Sequence, residues 1–169
     1  MADISTGSAE VKRANKATAS QISRMIPNST THNFKVVFAP NLDEDARNSL
    51  WDMFEANMRP MYTRSSFGWD PPHKKGELFD PLSRFILVYP NGDEGSLIAF
   101  TAFRFEFEED ESILYCYDLQ VSPAVQRQGL GRALMDHLAK IGAHFCLDKI
   151  MLTVFKVNKG ALKFYKAFG

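Results

Sequence analysis

The chain has 169 residues, a length that suits one domain built on one core. Hydrophobic residues make up 45% and charged residues 24%, and Lys+Arg and Asp+Glu both count 20. That balance gives no electrostatic reason to expect a nucleic-acid or membrane partner. Cys116 and Cys146 lie in apolar-rich runs without metal-type spacing and are expected as buried, reduced thiols. No apolar run approaches a membrane span, and "MADISTGSAEVKRANK" lacks the apolar centre of a signal peptide. The expected location is the cytoplasm or nucleus.

Residues 1–30 are polar, and Ile22, Met25 and Ile26 suit either a helix laid against the domain or a flexible tail. "NFKVVFAP" (33–40) predicts a strand. In 42–62, Leu50, Met53, Phe54, Met58 and Met61 recur at helical spacing behind an acidic start. Segment 63–83 is rich in proline and glycine and predicts a long loop, a type often functional. "RFILVYP" (84–90), 96–110 and "SILYCYDLQV" (112–121) predict three strands, the first two joined by the turn "NGDEG". Segment 130–146 is a helix with Leu130, Leu134, Leu138, Ile141 and Phe145 on one stripe and its His, Asp and Lys residues elsewhere. A short buried strand (149–156) and a last helix (158–169) burying Ala161, Phe164, Tyr165 and Phe168 complete the chain. A meander followed by a crossover helix, a strand and a helix argues a mixed α/β sheet flanked by helices.

Between the third meander strand and the crossover helix stands Gln126-Arg127-Gln128-Gly129-Leu130-Gly131-Arg132. A helix N-terminus presents unpaired N–H groups and partial positive charge, and glycines let the backbone approach an anion. Arg127 and Arg132 would add charge-assisted bonds. A Walker A loop requires Gly-Lys-Ser/Thr, absent here. A dinucleotide fingerprint requires Gly or Ala where this chain has Leu134. Two glycines alone are equally compatible with a simple strand-to-helix turn.

Gln126-x-x-Gly129-x-Gly131 resembles the pyrophosphate-cradling signature of GNAT acetyltransferases, and "NKGALKFYKAFG" resembles that family's Asn-x-x-Ala-x-x-Phe-Tyr helix. "MRPMYTRSSFGWD", "FRFEFEEDESILYCYDLQV" and "MLTVFKVNKGA" are similar to the NatD-type N-terminal acetyltransferases, over about residues 48–169. This resemblance implies a GNAT fold and acetyl-coenzyme A as donor. It implies, as partners, histone tails beginning Ser-Gly-Arg-Gly, acetylated at the α-amino group by a monomer in nucleus and cytoplasm. That family's domain normally continues with two more strands, so the domain from residue 31 onward is expected to be C-terminally incomplete. Another amine substrate, or a non-catalytic acyl-coenzyme A-binding module, are the alternatives.

Alternation in "FRFEFEE" places Phe103, Phe105 and Phe107 on one strand face and Arg104, Glu106 and Glu108 on the other. Such carboxylates attract a cationic peptide, whereas Glu109, Asp110 and Glu111 read as a solvated hairpin end. The resemblance places Tyr62, Phe67, Trp69, Glu106, Phe107, Glu108, Tyr115, Tyr117 and Thr153 at peptide-contacting positions, with the aromatics of the long loop as a lid. Phe67 replaces a typical Trp. Asp118 stands where the family carries its catalytic Glu, so this shorter acid must be raised by burial, or work through water, to serve as base. Tyr117 is implied in proton relay and Tyr165 in protonating the leaving thiolate, or in core packing. Backbone groups of Leu119, Gln120 and Val121 are implied to pair with the pantetheine arm, which Asn158 also bonds, while Gln126 to Arg132, including Gln128 and Leu130, hold the diphosphate. The four histidines form no zinc pattern, no metal is expected, and direct transfer is preferred over an acyl-Cys116 intermediate.

Overall fold

The computed structural model describes residues 7–154 and 158–168. A five-stranded sheet in the order β1-β2-β3-β4-β5 forms its centre. β1 (His32–Phe38), β2 (Arg84–Pro90), β3 (Ala99–Glu108) and β4 (Glu111–Val121) make an antiparallel meander. The crossover helix α5 (Leu130–His144) then brings β5 (Lys149–Leu152) alongside β4 in parallel. α1 (Ala9–Lys16), α2 (Ala19–Ser23), α5 and α6 (Lys159–Phe168) supply one helical layer, and α3 (Glu44–Arg64) and α4 (Pro71–Leu78) supply the other.

Strand alternation divides the core between the layers. Ile86, Val88, Phe103, Phe105, Leu114 and Cys116 pack under α1, α2 and α5 with Leu134, Leu138 and Ile141. Phe85, Leu87, Phe100 and Ala102 pack under α3 and α4 with Leu50, Trp51, Phe54 and Leu78. Phe54, Phe85, Phe100 and Phe103 are wholly buried, each contributing about 1.5–3 kcal/mol of transfer free energy.

The first helices belong to the core. Ser8 caps α1 by accepting from the Val11 N–H at 3.1 Å, and Thr18 and Gln21 close a capping box on α2. Val11, Ala14 and Ile22 are buried. Arg84 fixes the end of α1. Its guanidinium lies 4.7 Å from the Phe38 ring centre and 5.1 Å from that of Phe105, and donates to the Asn15 and Leu82 carbonyls, each at 3.2 Å. Burial without an acid partner lowers its pKa to about 10.

The long loop expected over 63–83 contains the end of α3 and the whole of α4. α3 runs through Pro60 to Arg64, and α4 begins at Pro71 behind the N-cap Asp70, whose carboxylate accepts from the His73 N–H at 3.2 Å. Proline in a first helical turn loses no intrahelical bond, so Pro71 and Pro72 start a helix rather than exclude one. Two further expectations need correction. Cys146 is exposed, because it follows the last turn of α5 with φ of 57°, which turns its side chain outward. His137 is buried, its ring edge-on to Phe34 at 4.6 Å, rather than on the polar face of α5. β5 ends at Leu152. Residues 155 and 156, the predicted end of that strand, and the Phe168 side chain lie outside the described residues.

Candidate active site

One irregularity organises the site. Phe103 of β3 pairs with Cys116 and Ala102 pairs with Asp118, so Tyr117 is the extra residue of a β-bulge. Before it, Leu114 and Cys116 face α5; after it, Leu119 and Val121 do. The bulge thus inverts the alternation and turns Asp118 and Gln120 to the face that already carries Tyr115 and Tyr117. The Tyr115 and Tyr117 rings lie 4.5 Å apart. Thr101, fully buried on β3, fastens the bulge by donating its hydroxyl to the Asp118 carbonyl at 2.8 Å.

On this face the polar groups form a connected set. The Tyr117 hydroxyl donates to Glu106 Oε1. Arg104 lies 4.1 Å from the Tyr117 ring centre and donates to Ser83 Oγ at 3.1 Å and to the Glu77 carbonyl at 2.6 Å. Asp118 Oδ1 accepts from Gln120 Nε2 at 2.6 Å, and Gln120 Oε1 accepts from Asn57 Nδ2 of α3 at 3.1 Å. Asp118 Oδ2 lies 3.5 Å from Lys74 Nζ of α4, which also lies 3.1 Å from Glu77 Oε1. Burial pushes the Asp118 carboxyl up from the ordinary aspartate value, with Lys74 and Gln120 holding it back. Burial alone disfavours the Lys74 ammonium, but Asp118, Tyr62 and Glu77 outweigh it and raise its pKa. Burial also raises Glu106. It raises Tyr117 too, as does the bond to Glu106.

Next to this face the described pairing of β4 with β5 ends. β5 pairs with β4 over Ile113–Cys116, and no described residue of β5 pairs with β4 beyond that. The chain leaves β4 at Val121 and enters α5 with Gly129 as N-cap at φ of 85° and Arg127 at φ of 65°. No side chain caps this terminus, and a Cβ at Gly129 would have no atom within 4 Å. Open space beside the first amides of a 15-residue helix suits an anion. Gly131 has another reason to lack a side chain: a Cβ there would stand 3.4 Å from the Phe164 ring of α6. Gln126 ties the loop back by donating to the Val121 carbonyl at 3.1 Å, which Asn57 Nδ2 also engages at 3.1 Å.

The family model described as "Acetyltransferase (GNAT) family" matches residues 44–169. The chain belongs to the GNAT acetyltransferase family. Solved structures agree on this GNAT fold. An integron cassette protein from the mobile metagenome of V. cholerae superposes with TM-score 0.61 at 20% identity, over 83% of this chain and 86% of that one. An aminoglycoside acetyltransferase from an uncultured soil metagenomic sample gives 0.57 at 19%, over 80% and 86%. A ribosomal-protein-alanine N-acetyltransferase from Brucella melitensis biovar Abortus 2308 gives 0.58 at 14%, over 80% and 89%.

Within this GNAT domain, β3 and β4 bring together Glu106, Tyr115, Tyr117 and Asp118, and α3 adds Tyr62. Burial raises Tyr62. Tyr165 is half-buried beside Phe164, raised by burial and by the charges of Cys116 and Asp118. Other expected residues stand apart. Phe107 shares the α1 side of β3 with Phe105, where a Cβ at Gly7 would meet it at 3.4 Å, opposite Glu106 and Glu108. Trp69 is the exception, edge-on to Tyr62 at 6.0 Å and stacked 5.8 Å from Trp51 and 6.2 Å from Phe54, whereas Phe67 is 79% exposed at the α3–α4 turn. Asn158 caps α6 by accepting from the Ala161 N–H at 3.2 Å. Thr153 is exposed beyond the end of β5. Glu109 and Asp110 form the two-residue hairpin turn with φ of 48° and 61°, and Glu111 pairs with Lys149 at 2.9 Å, in keeping with a solvated end. Cys116, wholly buried with its thiol pushed up to about 12, is unsuited to nucleophilic attack. Among the described residues no group of His, Cys, Asp and Glu could hold a metal ion, and no helix is long and apolar enough to cross a membrane. Lys74, Asn57 and Arg104 were not singled out as site residues by the sequence. The signal available for Lys74 was its place in a segment flagged as functional.

Proposed function

We propose that this GNAT protein transfers acetyl from acetyl-coenzyme A to the α-amino group of protein N-termini, with histone tails beginning Ser-Gly-Arg-Gly as substrate. The gathering of Glu106, Tyr117 and Asp118 on one face, next to where the described pairing of β4 with β5 ends, carries the reading. The donor, when bound, supplies an activated thioester. The residues present fit it: Gly129 leaves its cradle open, and Leu119 and Gln120 of β4, paired with β3 on one side and with no described residue on the β5 side, are an edge for an extended arm. The Val121 carbonyl, engaged by Asn57 and Gln126, is less available. Glu106 and exposed Glu108 attract an ammonium and a nearby arginine, which steers the peptide. An α-amino group with a pKa of roughly 7.7–8.0 must lose a proton before attack. Asp118 accepts it, and its upward shift brings this acid closer to the working pH. Burial keeps the Tyr165 hydroxyl protonated, the form able to hand a proton to the departing sulfur. Such a substrate places the protein in the nucleus and cytoplasm.

A cationic small amine is the second reading, favoured by the same acidic face and by the aminoglycoside acetyltransferase among the structural neighbours. Turnover with Ser-Gly-Arg-Gly peptides, other N-termini, N-blocked peptides and free polyamines decides between them. The proposal expects the first set to win by at least about tenfold in kcat/KM. It also expects Glu106→Gln with Glu108→Gln to raise the peptide KM. Equal rates on blocked peptides would refute N-terminal specificity.

A further inference from the structure

We propose that Lys74 is a positioning residue for Asp118: its ammonium, carried in from α4, fixes the orientation and charge of the base. The inference rests on the reading of Asp118 above and deepens it.

Lys74 is 8% exposed and Asp118 9%. The lysine Nζ lies 5.0 Å from the centre of the Phe54 ring and 5.7 Å from that of Tyr62, a box that favours a cation. Its neighbour Lys75 remains exposed over Trp51, so α4 holds its place on the core through contacts that require no buried charge. A buried ion pair is weak evidence for stability, since apolar residues of similar volume pack as well or better. Its geometry points instead to the acid. Asp118 Oδ1 is held by Gln120 from β4 itself, and Oδ2 faces Lys74 from a different element. The carboxylate plane is therefore set from two sides, as a base requires if one oxygen is to stay aimed at an amine.

The charged and titratable groups facing Asp118 are Lys74 and Glu77 from α4 and Tyr62 from α3, while Tyr165 from α6 and Cys116 on β4 feel its charge from the other side of the sheet. Lys74 favours the carboxylate and Glu77 opposes it. Removing Lys74 must therefore raise the titration midpoint of Asp118, and removing Glu77 must lower it.

The test is the carbon-13 titration of the Asp118 carboxyl in wild type, Lys74→Met, Lys74→Gln, Lys74→Arg and Glu77→Gln, with kcat against pH on the same proteins. The neutral variants are expected to move the midpoint up by about 1–3 pH units, the usual effect of an opposite charge at this range. Lys74→Arg should stay near wild type. In Lys74→Met, kcat should fall at neutral pH and recover as pH rises. A purely structural role predicts a loss independent of pH. An unmoved midpoint in the neutral variants overturns the proposal. Glu77→Gln, at a partly exposed position, guards against misfolding of those variants: its midpoint should fall, and one that stays or rises overturns the proposal equally. The titration needs no turnover. A chain inactive on every peptide but with shifted midpoints refutes the acetyl-transfer reading and not the role of Lys74.

Discussion

Replacing Thr101 by valine should disturb the site from behind the sheet. The substitution keeps shape and burial but removes the hydroxyl that donates to the Asp118 carbonyl at 2.8 Å. That carbonyl stands at the bulge, where the ladder is interrupted, and Thr101 has no exposed surface, so water does not readily take its place. Leaving a buried acceptor short of a donor costs about 1–3 kcal/mol. The Cys116 thiol, which approaches the same carbonyl at 3.5 Å, offsets a little of this. In a domain of this size each kcal/mol corresponds to roughly 2–4 °C in Tm, so a fall of about 2–10 °C is expected. The second effect is larger in consequence. With the bulge loosened, Asp118 is no longer held on the face of Glu106 and Tyr117, and kcat should fall by more than about tenfold while donor affinity stays within about twofold. Thr101→Ser, which retains the hydroxyl, should restore both. Calorimetry with steady-state peptide acetylation measures the pair of quantities. A valine variant that melts and turns over like wild type would refute the claim that this hydrogen bond positions the base.

Gly129→Val should weaken donor binding by more than about tenfold by calorimetric titration and lower Tm by several degrees. Its φ of 85° costs an L-residue about 1–2 kcal/mol, and its side chain enters the open cradle. The two cysteines should differ towards a thiol reagent: Cys146 reacts in the native protein, and Cys116, buried and raised to about 12, reacts only on unfolding. His137 is buried with neither ring nitrogen hydrogen-bonded to any described residue, and burial lowers its pKa, with Lys140 adding to the effect and Asp136 opposing it. A depressed histidine contributes stability above the unfolded pKa of about 6.5 that is lost as pH falls below it. His137→Leu should therefore gain stability over wild type progressively from pH 6.5 to 5, as read by urea melts.

The sequence disclosed the elements whose identity is local. β2 runs Arg84–Pro90 as predicted, because an unbroken apolar run between polar flanks has one reading for a strand buried on both faces. The stripe on α5 and the glycines before it were equally plain. α4 was not legible: its prolines look like loop residues until Asp70 is seen capping behind them, and its short span shows no clear apolar stripe because Lys74 occupies a buried position. The bulge at Tyr117 depends on pairing with β3, which strict alternation along "SILYCYDLQV" does not reveal. Asp118 was found by resemblance and Lys74 was missed, because a buried lysine and an exposed one, Lys74 and Lys75, are adjacent and identical in type.

The strand order has a kinetic consequence. β2, β3 and β4 are joined by short turns, so their two hairpins can form soon after the second strand of each leaves the ribosome, whereas β1 reaches β2 across α3 and α4. β5 must wait for the whole crossover through α5 before it docks in parallel, closing a longer loop than the turns joining β2, β3 and β4 at greater entropic cost. The pairing of β5 with β4 is thus the last in the sheet to form during synthesis. Hydrogen exchange should find its amides among the earliest to open.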